Sequence, residues 1–182
     1  NLKEFEATVM IAVPVLFENM YKKVWQGIDK KGKTKTVKFA IKLSNFLRVF
    51  KIDLRRKLFK DIHANFGGKL RLLVAGGAAF DKAAEKGFTE LGVDTFQGYG
   101  LSETAPVVAA ENPTYHKLGS IGKPFPSFEV KIVDPDECGI GELAVKGPCV
   151  MLGYYNNEEA TKDCMIDGWF HTGDLAYIDQ DG

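Results

Sequence analysis

The chain has 182 residues, 45% hydrophobic and 12% aromatic, with 24 Lys and Arg against 24 Asp and Glu, which is core-forming material for one ordinary globular domain. A membrane-spanning helix is excluded, because the best apolar candidate, residues 7–17, falls short of the roughly 18–20 residues a span requires and contains Thr8 and Pro14. The charge balance speaks against a nucleic-acid partner but conceals a division: residues 1–75 hold 17 basic and 6 acidic side chains, a net +11, and residues 76–182 hold 7 and 18, a net −11.

At the N-terminus no basic segment precedes a long apolar run with a small-residue cleavage site, so it does not read as a secretory signal. Residues 8–13 (TVMIAV) form a short β-branched run closed by Pro14 and predict a buried strand. After Pro14, Leu16, Met20, Val24 and Ile28 follow helical spacing with Phe17 and Tyr21 beside them, which predicts a helix with one core face ending near Gly32. The pattern repeats over residues 34–50 with Val37, Ile41 and Leu47. A third helix is predicted from Asp53, as N-cap, to Gly67 and Gly68. Residues 30–60 thus place 12 basic side chains and one acid, Asp53, on helices. Such a run is either the solvated face of those helices, the commoner case, or a surface for an anionic bilayer.

Residues 70–75 (LRLLVA) predict a parallel-type strand, 81–91 a helix and 93–97 another strand, which is a strand, crossover helix, strand unit of an α/β sheet. From about residue 105 the texture changes, with Pro106, Pro113, Gly119, Gly122, Pro124 and Pro126 closely spaced. Residues 128–133, 142–146 and 175–179 are the strand candidates there, and 157–163 a short helix. The fold class expected is therefore α/β: a partial parallel-type α/β sheet subdomain over 1–105, then a smaller, mainly antiparallel β subdomain over 106–182.

Three segments carry chemistry. The strand at 70–75 runs into Gly76, Gly77, Ala78 and Ala79, and glycines at the carboxyl end of a strand let backbone approach a flat ring or a phosphate, or simply make the turn. The next strand runs into QGYGLSET, residues 97–104, where Tyr99 lies between Gly98 and Gly100 and is followed by Ser102 and Glu103. An aromatic face, a hydroxyl and a carboxylate are the groups needed to stack a base, donate to a phosphate oxygen and hold a hard cation. DGWFHTGD, residues 167–174, ends in Asp174, a carboxylate placed to accept from two vicinal hydroxyls or to cap a turn.

In this order the segments resemble the adenylate-forming enzyme superfamily and, within it, the bacterial long-chain fatty-acyl-CoA synthetases. QGYGLSET is similar to the family's Tyr-Gly-x-Ser/Thr-Glu motif, GELAVKGPCVMLGYYNNEEAT (141–161) to its Gly-Glu-Leu stretch, and DGWFHTGD to its Trp-Phe-x-Thr-Gly-Asp motif. The opening TVMIAVPVLFENMYKKVW and the span KLGSIGKPFP (117–126) extend the similarity over nearly the whole chain. The resemblance implies that Gly76, Gly77 and Ala78 line the adenine and acyl side of a nucleotide site and that Tyr99, held between Gly98 and Gly100, packs on adenine. It further implies that Ser102 contacts the α-phosphate, Glu103 coordinates Mg2+ and Asp174 binds the ribose hydroxyls. Ser102 stands where many relatives have Thr, and Ala79 where many have Pro.

The reaction so implied joins a fatty acid to ATP as acyl-AMP and then to coenzyme A, with ATP, AMP, Mg2+ and coenzyme A as cofactors or co-substrates. Aryl-acid ligases, peptide-synthetase adenylation domains and a non-catalytic binding module on this scaffold are the alternatives. The family's phosphate-gripping loop, its hinge, the ribose-contacting arginine beyond it and its lysine-bearing small domain have no counterpart in these residues. The expectation is therefore an internal piece of the large N-terminal domain, inactive alone.

The three histidines and three cysteines add little by spacing. His63 falls in a helix and His116 in a loop, neither with a Cys or carboxylate at metal-ligand spacing, while His171 ranks second to Asp174 in the candidate site. Cys138, Cys149 and Cys164 are too dispersed for zinc, and their odd number argues for a reducing compartment. The cytoplasm is expected, with peripheral contact at the inner face of a membrane through residues 30–60.

Overall fold

Short β-branched runs separated by amphipathic helices build a parallel sheet early in the chain, and closely spaced glycines and prolines give way to antiparallel strands later. Residues 2–182 are described by a computed structural model, and they divide into two units. One takes in the chain up to Gly98 together with Glu111–Ile121, the other Tyr99–Ala110 with Gly122–Gly182.

In the first unit α1 (Leu2–Phe5) precedes β1 (Val9–Ala12), and Pro14 then opens α2 (Pro14–Lys30), where its missing N–H and fixed φ suit the first helical turn. After α2 come α3 (Thr34–Val49), α4 (Arg55–Leu58), α5 (Lys60–Asn65), β2 (Leu72–Ala75), α6 (Lys82–Glu90) and β3 (Asp94–Tyr99). Strand β2 lies between β1 and β3, parallel to both, with Ala75 opposite Ala12 on one side and Gln97 on the other. Asp81 caps α6, its carboxylate accepting from the Ala84 N–H at 2.8 Å. Phe17 of α2, Phe88 of α6, Leu70 and Leu73 are fully buried and form the core with Phe66, Phe80 and Val93.

Three expectations fail here. The strand over 8–13 is buried on one side only: Met10 and Ala12 pack on the core, whereas Ile11 is 78% exposed on a face that no described element covers. The single helix over 53–67 is two short ones, because Phe59 turns into a buried cluster with Ile41 and Leu91 and its backbone leaves the helical region at φ −108°, ψ 26°. Asp53 is not the N-cap either. Leu54 holds that position, and Asp53 accepts from the Arg55 N–H and pairs with its guanidinium at 2.7 Å, which holds the carboxyl down at about 2.

His63 is buried on α5, with Nε2 2.9 Å from the Leu91 carbonyl and Nδ1 without a partner. The ring therefore donates from Nε2, and a proton on Nδ1 would be a buried N–H with nothing to receive it. Burial first, then the charges of Arg56 and Arg55, hold its pKa below 6.5. A depressed folded pKa gives a contribution that is complete above 6.5 and is lost as pH falls below it. The urea midpoint of the chain is expected to drop between pH 7 and 5, and less steeply in His63→Gln; equal slopes would remove His63 as the cause.

In the second unit β4 (Ala109–Ala110) pairs antiparallel with β5 (Lys123–Pro124). A four-stranded antiparallel sheet follows, built from β6 (Glu129–Val133), β7 (Gly141–Lys146), β8 (Met165–Ile166) and β9 (Trp169–Ala176) in the order β6-β7-β9-β8. The helix α7 (Glu158–Cys164), expected over 157–163, precedes β8 and is capped by the Asn157 side chain. Val108, Phe128, Leu143 and Val145 form the core of this unit. The strand expected over 175–179 lies earlier: β9 begins at Trp169, so the TGD segment sits inside a strand and not in a turn before one.

Candidate functional site

Gly76, Gly77 and Ala78 follow β2 in the first unit, where Gly77 has φ 81° and so needs glycine. Gly76 faces Gly98 at the end of β3: a Cβ placed on Gly76 would lie 3.5 Å from the Gly98 carbonyl oxygen. These four residues, from two motifs, thus meet at the carboxyl end of the parallel strands. Tyr99, Gly100, Ser102, Glu103 and Asp174 belong to the second unit.

Beyond Tyr99 the chain makes a single 3-10 turn, Ser102–Thr104, locked from within. The Thr104 hydroxyl accepts from the Leu101 N–H at 3.0 Å, and the turn ends at Ala105 in the left-handed region, φ 50°. Gly100 has no substitute, because a Cβ there would collide with the Pro106 carbonyl oxygen. Thr104 is buried, so Ser102 is left exposed and Glu103 partly exposed, both free to meet a ligand.

Asp174 owes its place to a bulge. Glu142 pairs with Leu175 and Ala144 with His171, so residues 172–174 of β9 all oppose Leu143 of β7. Such a bulge re-aims a strand side chain. Gly173 supplies its left-handed φ of 74°, and the Thr172 hydroxyl donates to the Leu143 carbonyl at 2.7 Å while accepting from the Asp174 N–H. The Gly173 N–H donates to Glu142, whose other oxygen lies 2.7 Å from His171 Nδ1. That pairing holds the Glu142 carboxyl below its usual range and commits His171 to the sheet, leaving Asp174 as the group that projects.

Two contacts join segments distant in sequence. The Tyr99 hydroxyl donates to Asp174 Oδ2 at 2.5 Å, bridging the second and third motifs. Burial, and then the carboxylate beside it, push the Tyr99 phenol far above its ordinary value, so it stays a donor. The Tyr154 hydroxyl donates to Glu103 Oε1 at 2.9 Å, and the Met151 N–H donates to the Glu103 carbonyl oxygen at 2.7 Å, so the segment 151–154 holds Glu103 by side chain and backbone. The partly exposed Glu103 carboxylate is an oxygen ligand of the kind Mg2+ takes with phosphate and water completing its shell, and it fits that ion.

The AMP-binding enzyme family matches residues 1–155. The chain belongs to that family. Among AMP-binding relatives, the long-chain-fatty-acid–CoA ligase FadD15 of Mycobacterium bovis is 34% identical across the whole of this chain, which covers 32% of that protein. The O-succinylbenzoate coenzyme A synthetase (MenE) of Bacillus subtilis, solved in complex with ATP and magnesium ion, is 33% identical over 70% of this chain and 29% of its own, with a TM-score of 0.57. The anthranilate CoA ligase AuaEII, solved with anthranoyl-AMP, covers 100% of this chain and 29% of its own at TM-score 0.69 and 21% identity, a likeness of fold. The chain thus spans about a third of the length of the AMP-binding relatives it matches.

Sequence spacing missed Tyr154, 51 positions from Glu103, because nothing local marks a partner so distant. Spacing also gave no sign of what stands beside His116. No carboxylate stands at metal-ligand spacing in sequence, yet the fold puts Glu111 Oε1 3.1 Å from His116 Nδ1 and brings Glu85 of α6 beside them.

Proposed function

We propose that this chain serves an AMP-forming fatty-acid–coenzyme A ligase, and that its residues Gly76, Gly77, Ala78, Gly98, Tyr99, Gly100, Ser102, Glu103 and Asp174 bind the nucleotide. What carries the reading is 34% identity over the whole of this chain to a long-chain-fatty-acid–CoA ligase, 32% of whose length it covers, together with the Tyr99 to Asp174 hydrogen bond, which unites two of the three motifs. In the reaction a carboxylate oxygen attacks the α-phosphorus of ATP as the bond to pyrophosphate breaks; the coenzyme A thiol then displaces AMP from the acyl carbon. Asp174 accepts hydrogen bonds from the ribose hydroxyls, Tyr99 presents its ring to adenine, and Ser102 donates to the α-phosphate. Glu103 would hold Mg2+, which when bound would neutralise charge where an anion approaches a polyanion.

An aryl acid is the second reading, favoured by the 33% identity to the O-succinylbenzoate coenzyme A synthetase over 70% of this chain. ATP–pyrophosphate exchange by the full-length protein decides between them. Exchange is expected with palmitate and not with benzoate or anthranilate, and none is expected from the 182 residues alone. The reverse acid preference would replace the first reading by the second.

A bilayer is the proposed place of action. On α3, Phe39, Leu43 and Phe46 recur at helical spacing, Phe50 at the C-cap continues the row, and all four are exposed, the last two at 61% and 62% with their rings 5.3 Å apart. Lys35, Lys38, Lys42, Arg48 and Lys51 flank them. An apolar stripe bordered by lysines suits an anionic leaflet, where each basic residue contributes about 1 kcal/mol. Co-sedimentation with phosphatidylglycerol vesicles is expected to fall with rising salt and to weaken in Phe46→Ser/Phe50→Ser. Equal binding to phosphatidylcholine vesicles, or none to either, would end this proposal. Among the described residues no helix is long and apolar enough to cross a membrane.

A further inference from the structure

Away from the nucleotide motifs, the first unit buries two carboxylates side by side. Glu85 on α6 is 0% exposed and Glu111, which opens the segment returning to this unit, is 6% exposed. One donor atom from each, with one from His116, all lie within 4.8 Å of one another. Glu111 is well anchored, Oε2 accepting from the Gln97 N–H at 2.8 Å and Oε1 from the Lys117 N–H at 2.9 Å. Glu85 Oε2 accepts from the Gln97 side-chain amide at 3.0 Å and from the Gly119 N–H at 3.3 Å. Its other oxygen, Oε1, is cut off from solvent and has no hydrogen-bond partner.

Two carboxylates this close and this dry do not both stay charged without a positive charge beside them. The titratable group beside them is His116, whose Nδ1 lies 3.1 Å from Glu111 Oε1 and whose ring is itself a ligand for a cation. Nor does the mechanism above use any of these groups.

We propose that Glu85, Glu111 and His116 bind a divalent transition-metal ion of the zinc class, at a structural site separate from the nucleotide residues. The donor set decides the class: two carboxylate oxygens and one imidazole nitrogen suit Zn2+, whereas Mg2+ and Ca2+ take oxygen alone. A bound ion would also give the buried Glu85 carboxylate, whose Oε1 has no hydrogen-bond partner, the charge it lacks. Zinc lies about 2.0–2.2 Å from each such ligand, so the three must close in slightly. His116 is placed to do so, standing at the surface with its ring edge against Phe96, 5.7 Å between centroids, and giving the ion a way in. Gln97 then acts as the outer partner, its amide N–H orienting Glu85 while its backbone N–H holds Glu111. The ion would tie the segment carrying Glu111 and His116 to α6 and to the end of β3, immediately before Gly98.

The test is a Zn2+ titration of the untagged, chelator-stripped chain against a chromophoric competitor. Uptake of one equivalent is expected, with that equivalent lost in Glu85→Gln and in His116→Ala and bound about 10- to 100-fold more weakly in Gln97→Leu. His116 stands at the surface but pairs with the buried Glu111, so the fold of its variant is checked by circular dichroism before titration. A denaturation midpoint raised by Zn2+ in the wild-type chain and not in the two ligand variants supports the same conclusion. No stoichiometric uptake, uptake that either ligand variant leaves unchanged, or preference for Mg2+ over Zn2+ overturns it, and a protonated Glu85 seen by infrared at neutral pH would then explain the pair. Neither result bears on fatty-acid activation, which is read by pyrophosphate exchange.

Discussion

Glu103→Gln in the full-length protein is expected to slow acyl-adenylate formation about 100- to 1,000-fold, the range for removing one preorganised charge-stabilising group. The substitution isolates charge from shape. Glutamine keeps an oxygen able to accept from the Tyr154 hydroxyl, and the Met151 N–H bonds the backbone of residue 103 whatever its side chain. What is lost is the negative charge that would hold Mg2+ against the phosphates, so the effect should fall on pyrophosphate exchange while the circular dichroism spectrum and midpoint stay unchanged. Tyr154→Phe is the companion variant. It removes one hydrogen bond to a charged group, at an exposed position where water replaces it, and should cost about tenfold or less, since about 1.4 kcal/mol corresponds to a factor of ten. Wild-type exchange by Glu103→Gln would remove Glu103 from the proposed site.

The second large effect is on stability. Phe88→Ala is expected to destabilise the chain by about 3–5 kcal/mol, the range for deleting a buried aromatic ring. Phe88 is fully buried, with its ring centroid 5.5 Å from that of Tyr21 and 6.4 Å from that of Phe66, so it joins α6 to α2 and to the end of α5. Relaxation into the cavity is blocked on the side of Gly87, where a Cβ would already collide with the Tyr21 ring. Domains are stable by only about 5–15 kcal/mol, so the loss should bring the chain close to unfolding at 25 °C. Urea denaturation checks it, and a loss below about 1 kcal/mol would mean that this core collapses far more readily than its packing implies.

Periodicity made most of the first unit legible. Phe17, Met20, Tyr21, Val24 and Ile28 recur along one face of α2, and the strand, helix, strand order of β2, α6 and β3 follows from apolar runs set apart by glycine and a capping Asp81. It failed where a distant contact outweighed local preference. Phe59 continues the helical spacing of its neighbours, but burying it against Ile41 and Leu91 ends α4. Trp169, Phe170 and His171 carry no alternation that marks a strand, and pairing with β7 makes them one.

For the site, the residue types and their order pointed to a nucleotide, since glycine at strand ends, a tyrosine, a hydroxyl and carboxylates each have a restricted chemistry. Three things lay outside their reach. The bulge that turns Asp174 outward arises from a mismatch between β7 and β9, which neither strand contains by itself. The grip of Tyr154 on Glu103 and of Tyr99 on Asp174 spans 51 and 75 positions, and only the closed chain brings such groups within hydrogen-bond range. The pairing of Glu85 with Glu111 and His116 is of the same kind. Local chemistry, written in residue type and short spacing, determined the α/β class, the helices α2, α3 and α6, and the family motifs. Charge pairing, burial and strand register depend on residues far apart in sequence, and the tertiary structure alone decided them.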